Sequence, residues 1–240
     1  MKTSIIIPTY NGKPLLKNCL YAIKVWTDAP YEVIVVDDAS DDGTLDFCLG
    51  ERVVLVSLPH NRGFPAACNA GLKIASGDNI VILNNDVQVR PHWLGNLLKC
   101  LHSSDDIGIV GPLTNYVSGS QRVDYKSIDE NSSFFNLSNP QKWRQTERLV
   151  GFCLAMKREV PERIGLFDER FSPGHYEDDD YCYRARIAGY RLMIAGDTFV
   201  YHEGGKSFDR KEKEALASLI ETNRNAFIAK WGFDPVIFIH

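Results

Sequence analysis

Short, nearly unbroken apolar runs alternating with helical periodicity restrict this chain more than any other feature of its sequence. Ser4 to Ile7, Glu32 to Val36, Arg52 to Leu58, Asn79 to Leu83 and Ile107 to Val110 are such runs, rich in β-branched residues. A strand that is apolar at successive positions needs cover on both faces. Between the runs, Pro14 to Trp26 places Leu15, Leu16, Cys19, Leu20 and Ile23 on one helical stripe, and Thr44 to Leu49, Pro65 to Ala75 and Pro91 to His102 read as further helices. Strands alternating with helices predict βαβ units, and hence an α/β fold built on a mostly parallel, Rossmann-like sheet with flanking helices.

The pattern lapses from Leu113 to Glu147, where Ser, Asn, Gln and Asp dominate, and this stretch reads as a long loop dividing the chain into 1–112 and 113–240. The second part resumes with the apolar run Leu149 to Met156. It continues with a helix from Glu177 to Ala188 stopped by Gly189, strands at Arg191 to Ala195 and Thr198 to Tyr201, and a last helix from about Arg210 to Lys230. With 240 residues the chain can bury a sizeable core.

A net charge of −4 offers no basic face for nucleic acid, so an anionic ligand would need a local device such as a metal. The six cysteines are scattered singly, without zinc-like spacing, and read as small core residues in a reducing compartment. No window approaches the roughly 20 apolar residues of a membrane span, and the N-terminus has too short an apolar stretch for a signal peptide. The expectation is a cytoplasmic protein with at most peripheral contact at the inner face of the membrane.

In open α/β sheets ligands bind beyond the carboxyl ends of the strands. Those ends are polar here: Pro8-Thr9-Tyr10-Asn11-Gly12, Asp37-Asp38-Ala39-Ser40-Asp41-Asp42-Gly43-Thr44, and Asn84-Asn85-Asp86. Asp37 and Asp38 can accept hydrogen bonds from a base or a ribose, and turn-making with capping by Ser40 or Asp41 accounts for the same acids equally well. Arg62 and Gly63 precede a helix N-terminus, where backbone N–H groups favour an anion. Asp86 stands where a carboxylate could hold Mg²⁺ or Mn²⁺, the ion that a departing nucleoside diphosphate requires. A plain Asx turn is the simpler account of it.

Glu177-Asp178-Asp179-Asp180 opens a helix, where acids complement the dipole by about 0.3 to 1 kcal/mol each. Four in succession exceed that need, and mutual repulsion suits one of them to act as a general base near neutral pH. Asp180 can pair with Arg184 at i+4 and Asp179 points elsewhere, leaving Glu177 and Asp178 toward the cleft, with Asp178 as the base. His202 ends a strand before Glu203-Gly204-Gly205-Lys206-Ser207, and taken alone it reads as a hydrogen-bonded structural histidine.

Taken in order, several blocks resemble family 2 glycosyltransferases of the GT-A fold over roughly positions 3 to 207. They are Ile5-Ile6-Ile7-Pro8-Thr9-Tyr10-Asn11, Val35 to Thr44, Asn61-Arg62-Gly63-Phe64 through Gly71, Ala75-Ser76-Gly77-Asp78, Leu83-Asn84-Asn85-Asp86, Gly165 to Phe171, Glu177 to Asp180 with Arg184, and Tyr201-His202. The resemblance implies a nucleotide-binding half, 1–112, with Pro8, Thr9, Asn11, Asp37, Asp38, Arg62, Asn69 and Asn85 around the nucleotide. Asp86 would hold a Mg²⁺ or Mn²⁺ ion and the diphosphate, with His202 as a further metal or diphosphate contact. It implies a smaller acceptor-binding half, 113–240, in which Glu177 and Asp178 are catalytic.

The activity implied is inverting transfer of a sugar from a nucleotide-diphosphate donor, dTDP- or UDP-linked, to a hydroxyl of a glycan or lipid-linked acceptor in cell-surface polysaccharide synthesis. The likeness is greatest to rhamnosyltransferase-like branches, and a homodimer is compatible with it. Where the family's metal motif often has two aspartates, the first position here is Asn84, so only Asp86 carries charge. The membrane spans of processive relatives are not found in the sequence, which favours addition of single sugars. A nucleotidyltransferase would need a Gly-rich basic loop after the first strand, which Pro8 to Gly12 does not supply, and a non-catalytic glycan-binding module would not need the acidic run.

Overall fold

The computed structural model describes residues 1–124, 136–204 and 210–239. The chain begins with β1 (Thr3–Thr9), α1 (Lys13–Trp26), β2 (Tyr31–Asp37), α2 (Thr44–Leu49), β3 (Val54–Ser57), α3 (Phe64–Ile74) and β4 (Asn79–Leu83). It continues with β5 (Val87–Gln88), α4 (Trp93–Leu101), β6 (Ile107–Thr114), β7 (Trp143–Thr146), β8 (Cys153–Lys157), α5 (Glu159–Ile164), α6 (Glu177–Ile187), β9 (Arg191–His202) and α7 (Arg210–Trp231). One sheet in the order β3-β2-β1-β4-β8-β6-β9-β5 runs through the molecule, and β7 adds to β9.

Its unbroken apolar strands have the predicted cause. Ile5 and Ile7 of β1 pack toward α1 and α4, through Leu16, Cys19, Ile23, Trp93 and Leu97, whereas Ile6 packs toward α3 and α6, through Cys68, Leu72 and Tyr181. Alternate side chains thus enter two cores, one on each face of the sheet. β3, β2, β1 and β4 are parallel as expected; β8 runs antiparallel between β4 and β6, and β6 and β9 are parallel.

Three local expectations give way. The division at residue 112 falls inside β6, which extends to Thr114, and β7 forms within the stretch read as loop because its backbone completes the edge of β9. The two strands expected at 191–195 and 198–201 are a single β9 whose register with β6 jumps from Ala195 to Phe199. Gly196 sits at that irregularity, where a Cβ would come within 2.3 Å of the Lys142 carbonyl oxygen. The apolar run 149–156 is strand only from Cys153, and the short α5 and β5 carry no periodic signal of their own. Positions 125–135 of the expected loop, and Gly205 to Ser207, lie outside the described residues.

Candidate active site

The carboxyl ends of β1, β2 and β4 meet at one rim. Parallel pairing sets Thr9 against Asp37, and the Asp38 amide donates to the Thr9 carbonyl at 2.9 Å. Asp38 then accepts from the amides of Arg62 (2.8 Å) and Gly63 (2.7 Å), so its carboxylate shapes the turn that opens α3. That turn needs glycine: Gly63 has φ +85°, and a Cβ there would lie 2.5 Å from Cα of Pro173. Asn85 donates through Nδ2 to Thr9 Oγ1 at 2.7 Å. Pro8, Thr9, Asp38 and Asn85 line a chamber of about 240 Å³ together with Tyr10 and Phe64.

The other residues expected at the nucleotide are placed differently. Asp37 is buried behind the rim; its Oδ2 lies 3.4 Å from the Ser40 amide, and Oδ1 has no hydrogen-bond partner. Asn11 lines the adjoining chamber while its Oδ1 accepts from the Asp41 amide at 2.8 Å, tying the first two strand-end loops together. The Arg62 guanidinium pairs with Glu169 at 2.6 Å near the surface. Asn69 is buried, its amide bonded to both backbone groups of Phe167 and to Glu169, so it fixes α3 to that turn instead of facing a chamber.

Next to that chamber lies a larger one of about 800 Å³, whose walls include Tyr10, Asn85, Asp86, Tyr116, His175 and His202. The pairing of β5 with β9 sets Val87 against His202, and the Glu203 amide donates to the Asp86 carbonyl, bringing the two expected metal residues together. His202 Nδ1 lies 2.7 Å from the Tyr116 carbonyl oxygen, which can only accept, so Nδ1 carries the proton. Nε2 therefore faces Asp86 Oδ1 at 3.2 Å, and that buried oxygen has no hydrogen-bond partner. Burial alone would lower the His202 pKa, but Asp86 and the Tyr116 carbonyl raise it. A histidine with one N–H fixed on a carbonyl and its other nitrogen 3.2 Å from a carboxylate oxygen suits a divalent cation. Among the described residues no group of three or more His, Cys, Asp or Glu gathers to hold one.

Tyr116, His175 and His202 also line a third chamber, of about 480 Å³, into which the first turn of α6 projects. Each acid of the run has its own surroundings. Asp178 accepts from the amides of Gly151 (2.9 Å) and Asp179 (2.8 Å), which holds both oxygens in fixed directions. Glu177 is buried with Oε2 unpartnered, and burial, followed by the neighbouring Asp178 charge, raises its pKa well above the ordinary carboxylate range. Asp179 is pushed up to about 7 by burial and by Asp178, against the opposing Arg148 guanidinium 2.5 Å away. Asp180 is fully buried and accepts from Arg184, Lys230 and Trp231. Of the expected pair, Asp178 has both oxygens held by backbone amides, whereas Glu177 Oε2 has no hydrogen-bond partner.

A carboxyl whose pKa is raised on folding adds stability that is complete below the unfolded value and is lost as pH rises through the folded one. Glu177 and Asp179 therefore make the ligand-free protein more stable at pH 5.5 than at pH 8, by about 1.4 kcal/mol per pH unit for each extra proton held. The melting temperature should fall by several degrees from pH 5.5 to pH 8, and Glu177→Gln should reduce the fall. A flat or opposite profile would contradict the assigned protonation.

Four contributors carried no readable signal. Asn115 brackets the His202 backbone with both groups of its amide, and Tyr116 supplies the carbonyl described above. Both lie in the segment whose lack of periodicity suggested loop. Arg148, which follows Glu147 just before an apolar run, pairs with Asp179. Asn223 of α7 is buried, and its Nδ2 donates to the carbonyls of Phe171, Gly174 and His175. It thereby holds a loop in which His175 (φ +71°) and Tyr176 (φ +73°) are both left-handed just before Glu177.

A model described as glycosyl transferase family 2 matches residues 4–165. The chain is 36% identical to the uncharacterized glycosyltransferase YwdF of Bacillus subtilis, over 92% of this chain and 84% of that one. It is 26% identical to glycosyltransferase AglE of Haloferax volcanii, over 83% of this chain and 66% of the relative. Among solved structures, a mannosyltransferase from Pyrobaculum calidifontis in complex with GDP-Man and Mn²⁺ superposes with a TM-score of 0.69 at 25% identity, over 95% of this chain and 64% of that one. The chain thus spans just under two thirds of the length of the last two.

Proposed function

The chain belongs to glycosyl transferase family 2, and we propose that it transfers a sugar from a nucleotide-diphosphate donor to an acceptor hydroxyl, inverting the anomeric configuration. One observation carries the reading: three adjoining chambers share their walls in a sequence that follows the reaction. Tyr10 and Asn85 are common to the nucleotide chamber and the one holding Asp86 and His202, and Tyr116, His175 and His202 are common to the latter and the chamber of Asp178.

The nucleotide would lie against Pro8, Thr9, Asp38 and Asn85, with its diphosphate toward Asp86 and His202. A divalent cation, Mg²⁺ or Mn²⁺, held by those two residues would neutralise the charge gathering on the diphosphate as it departs. Asp178 takes the proton of the acceptor hydroxyl while that oxygen bonds to the anomeric carbon, and the bond from that carbon to the diphosphate oxygen breaks on the opposite face. A single displacement of this kind inverts the configuration and needs one base. The finer assignment is a dTDP- or UDP-sugar donor and a glycan or lipid-linked acceptor in cell-surface polysaccharide synthesis.

Six free, buried cysteines favour a reducing compartment, and no helix among the described residues is long and apolar enough to cross a membrane. These observations favour action at the cytoplasmic face.

Thermal shifts with UDP, dTDP, GDP and CDP, each with and without Mn²⁺, test the proposal. A ligand at 100 times its Kd stabilises the native state by about 2.7 kcal/mol. The expected result is a Mn²⁺-dependent rise with UDP or dTDP that Asp86→Ala abolishes. A rise with GDP alone would overturn the donor assignment, and no rise with any nucleotide would overturn the transfer reading.

A further inference from the structure

Two parts of the site that lie far apart in sequence are joined by one short segment. At its first end, Asn115 clamps the His202 backbone through two bonds of 2.9 Å each, and the Tyr116 carbonyl holds His202 Nδ1. At its other end, the carbonyl and hydroxyl of Ser118 accept from Arg148 Nη1 at 3.5 and 3.2 Å. The same guanidinium grips both oxygens of Asp179, with Nε 2.5 Å from Oδ1 and Nη2 3.4 Å from Oδ2. Three residues beyond Arg148, the Gly151 amide bonds to Asp178. Between them, Leu149 exchanges hydrogen bonds with the Cys182 thiol through its amide and its carbonyl, so residues 148 to 151 lie along α6 from its first turn.

We propose that Arg148 is a positioning residue: by spanning Asp179 and Ser118 it holds Asp178 in fixed register with His202. The inference rests on the transferase reading above and adds a residue to it. Arg148 and Asp179 are largely shielded, with side chains 12% and 4% exposed, which makes the pair more directional than a surface ion pair. A guanidinium is required because its rigid fork reaches two partners at once, whereas an ammonium is a single point of charge. Misplacing a base by about 1 Å can cost a factor of 10² in rate without weakening donor binding.

The test measures release of nucleoside diphosphate to water from UDP-glucose, UDP-N-acetylglucosamine and dTDP-rhamnose, so it needs no identified acceptor. Arg148→Gln should lower kcat at least about 10-fold, while the donor KM and the Mn²⁺-dependent shift with UDP or dTDP stay within about twofold. Arg148→Lys should recover part of the loss. Should Arg148→Gln fail to fold, the double variant Arg148→Gln/Asp179→Asn leaves no charge of the pair buried alone. It should remain at least about 10-fold slow, because one amide cannot span both partners. A kcat within twofold of wild type in a folded Arg148→Gln or in the double variant overturns the proposal, as does a loss shared equally by KM and the binding shift. Asp178→Asn run alongside separates the two levels. Near-normal release by that variant removes Asp178 as the base and this inference with it, and no release by the wild type overturns the transferase reading; inactive Asp178→Asn beside normal Arg148 variants overturns the inference alone.

Discussion

Asp178→Asn should bind nucleoside diphosphate with Mn²⁺ as the wild type does and lose sugar transfer by a factor of about 10² or more, the usual scale for a general base. The substitution is nearly isosteric. Asn Oδ1 can still accept from one of the two amides that Asp178 holds, Gly151 or Asp179, but the new Nδ2 donates and cannot accept from the other. A modest loss of stability is therefore expected together with the loss of rate, and a melting curve separates them. The chamber proposed for the nucleotide is lined by other residues, so the ligand-induced shift should persist. Turnover within a few-fold of normal would remove Asp178 as the base, and Glu177 would be the next residue to substitute.

The largest effect on stability is expected from Asp180→Ala. The Asp180 carboxylate is fully buried, with Arg184 at 2.8 Å, Lys230 at 2.5 Å and the Trp231 indole N–H at 2.9 Å. Removing it leaves two cations facing a space that their counter-charge filled, and breaking a buried pair in this way costs about 3 to 5 kcal/mol. Lys230 keeps Asp168, and Arg184 keeps the carbonyls of Ile164 and Leu166, which places the expected cost toward the lower end. For a chain of this size that corresponds to a fall in melting temperature of about 10 °C. Because Lys230 and Trp231 close α7, the helix whose Asn223 holds the loop before Glu177, activity should also become more sensitive to temperature. A melting temperature within about 2 °C of wild type would show that α7 is held by its other contacts.

The acidic run separates what could be read in advance from what could not. Its place at a helix start was legible, because four acids followed by Tyr181, Arg184 and Ala185 fit only that arrangement, and the Asp180–Arg184 pair follows from i+4 spacing. The roles of the other three depend on Gly151, Arg148 and burial. The residues expected at the nucleotide divide in the same way. Thr9, Asp38 and Asn85 were legible as strand-end groups, whereas Arg62 and Asn69, in a block that also looked right, turn to Glu169 and Phe167. No local pattern marks those partners, which stand about a hundred positions away.

The sequence by itself determined the alternating architecture, the rim at which ligands must bind, and the residue types gathered there. Apolar periodicity and strand ends are local properties, set by side-chain direction along each element. Tertiary structure alone decided the surroundings of each acid: backbone amides for Asp178, burial for Glu177, Arg148 for Asp179, and Arg184 with Lys230 for Asp180. Successive helical positions turn by about 100°, so adjacent carboxylates meet different surroundings. Those surroundings are hydrogen-bond donors, guanidinium groups and low-dielectric cover contributed by distant segments, and they exist only once the chain has closed on itself.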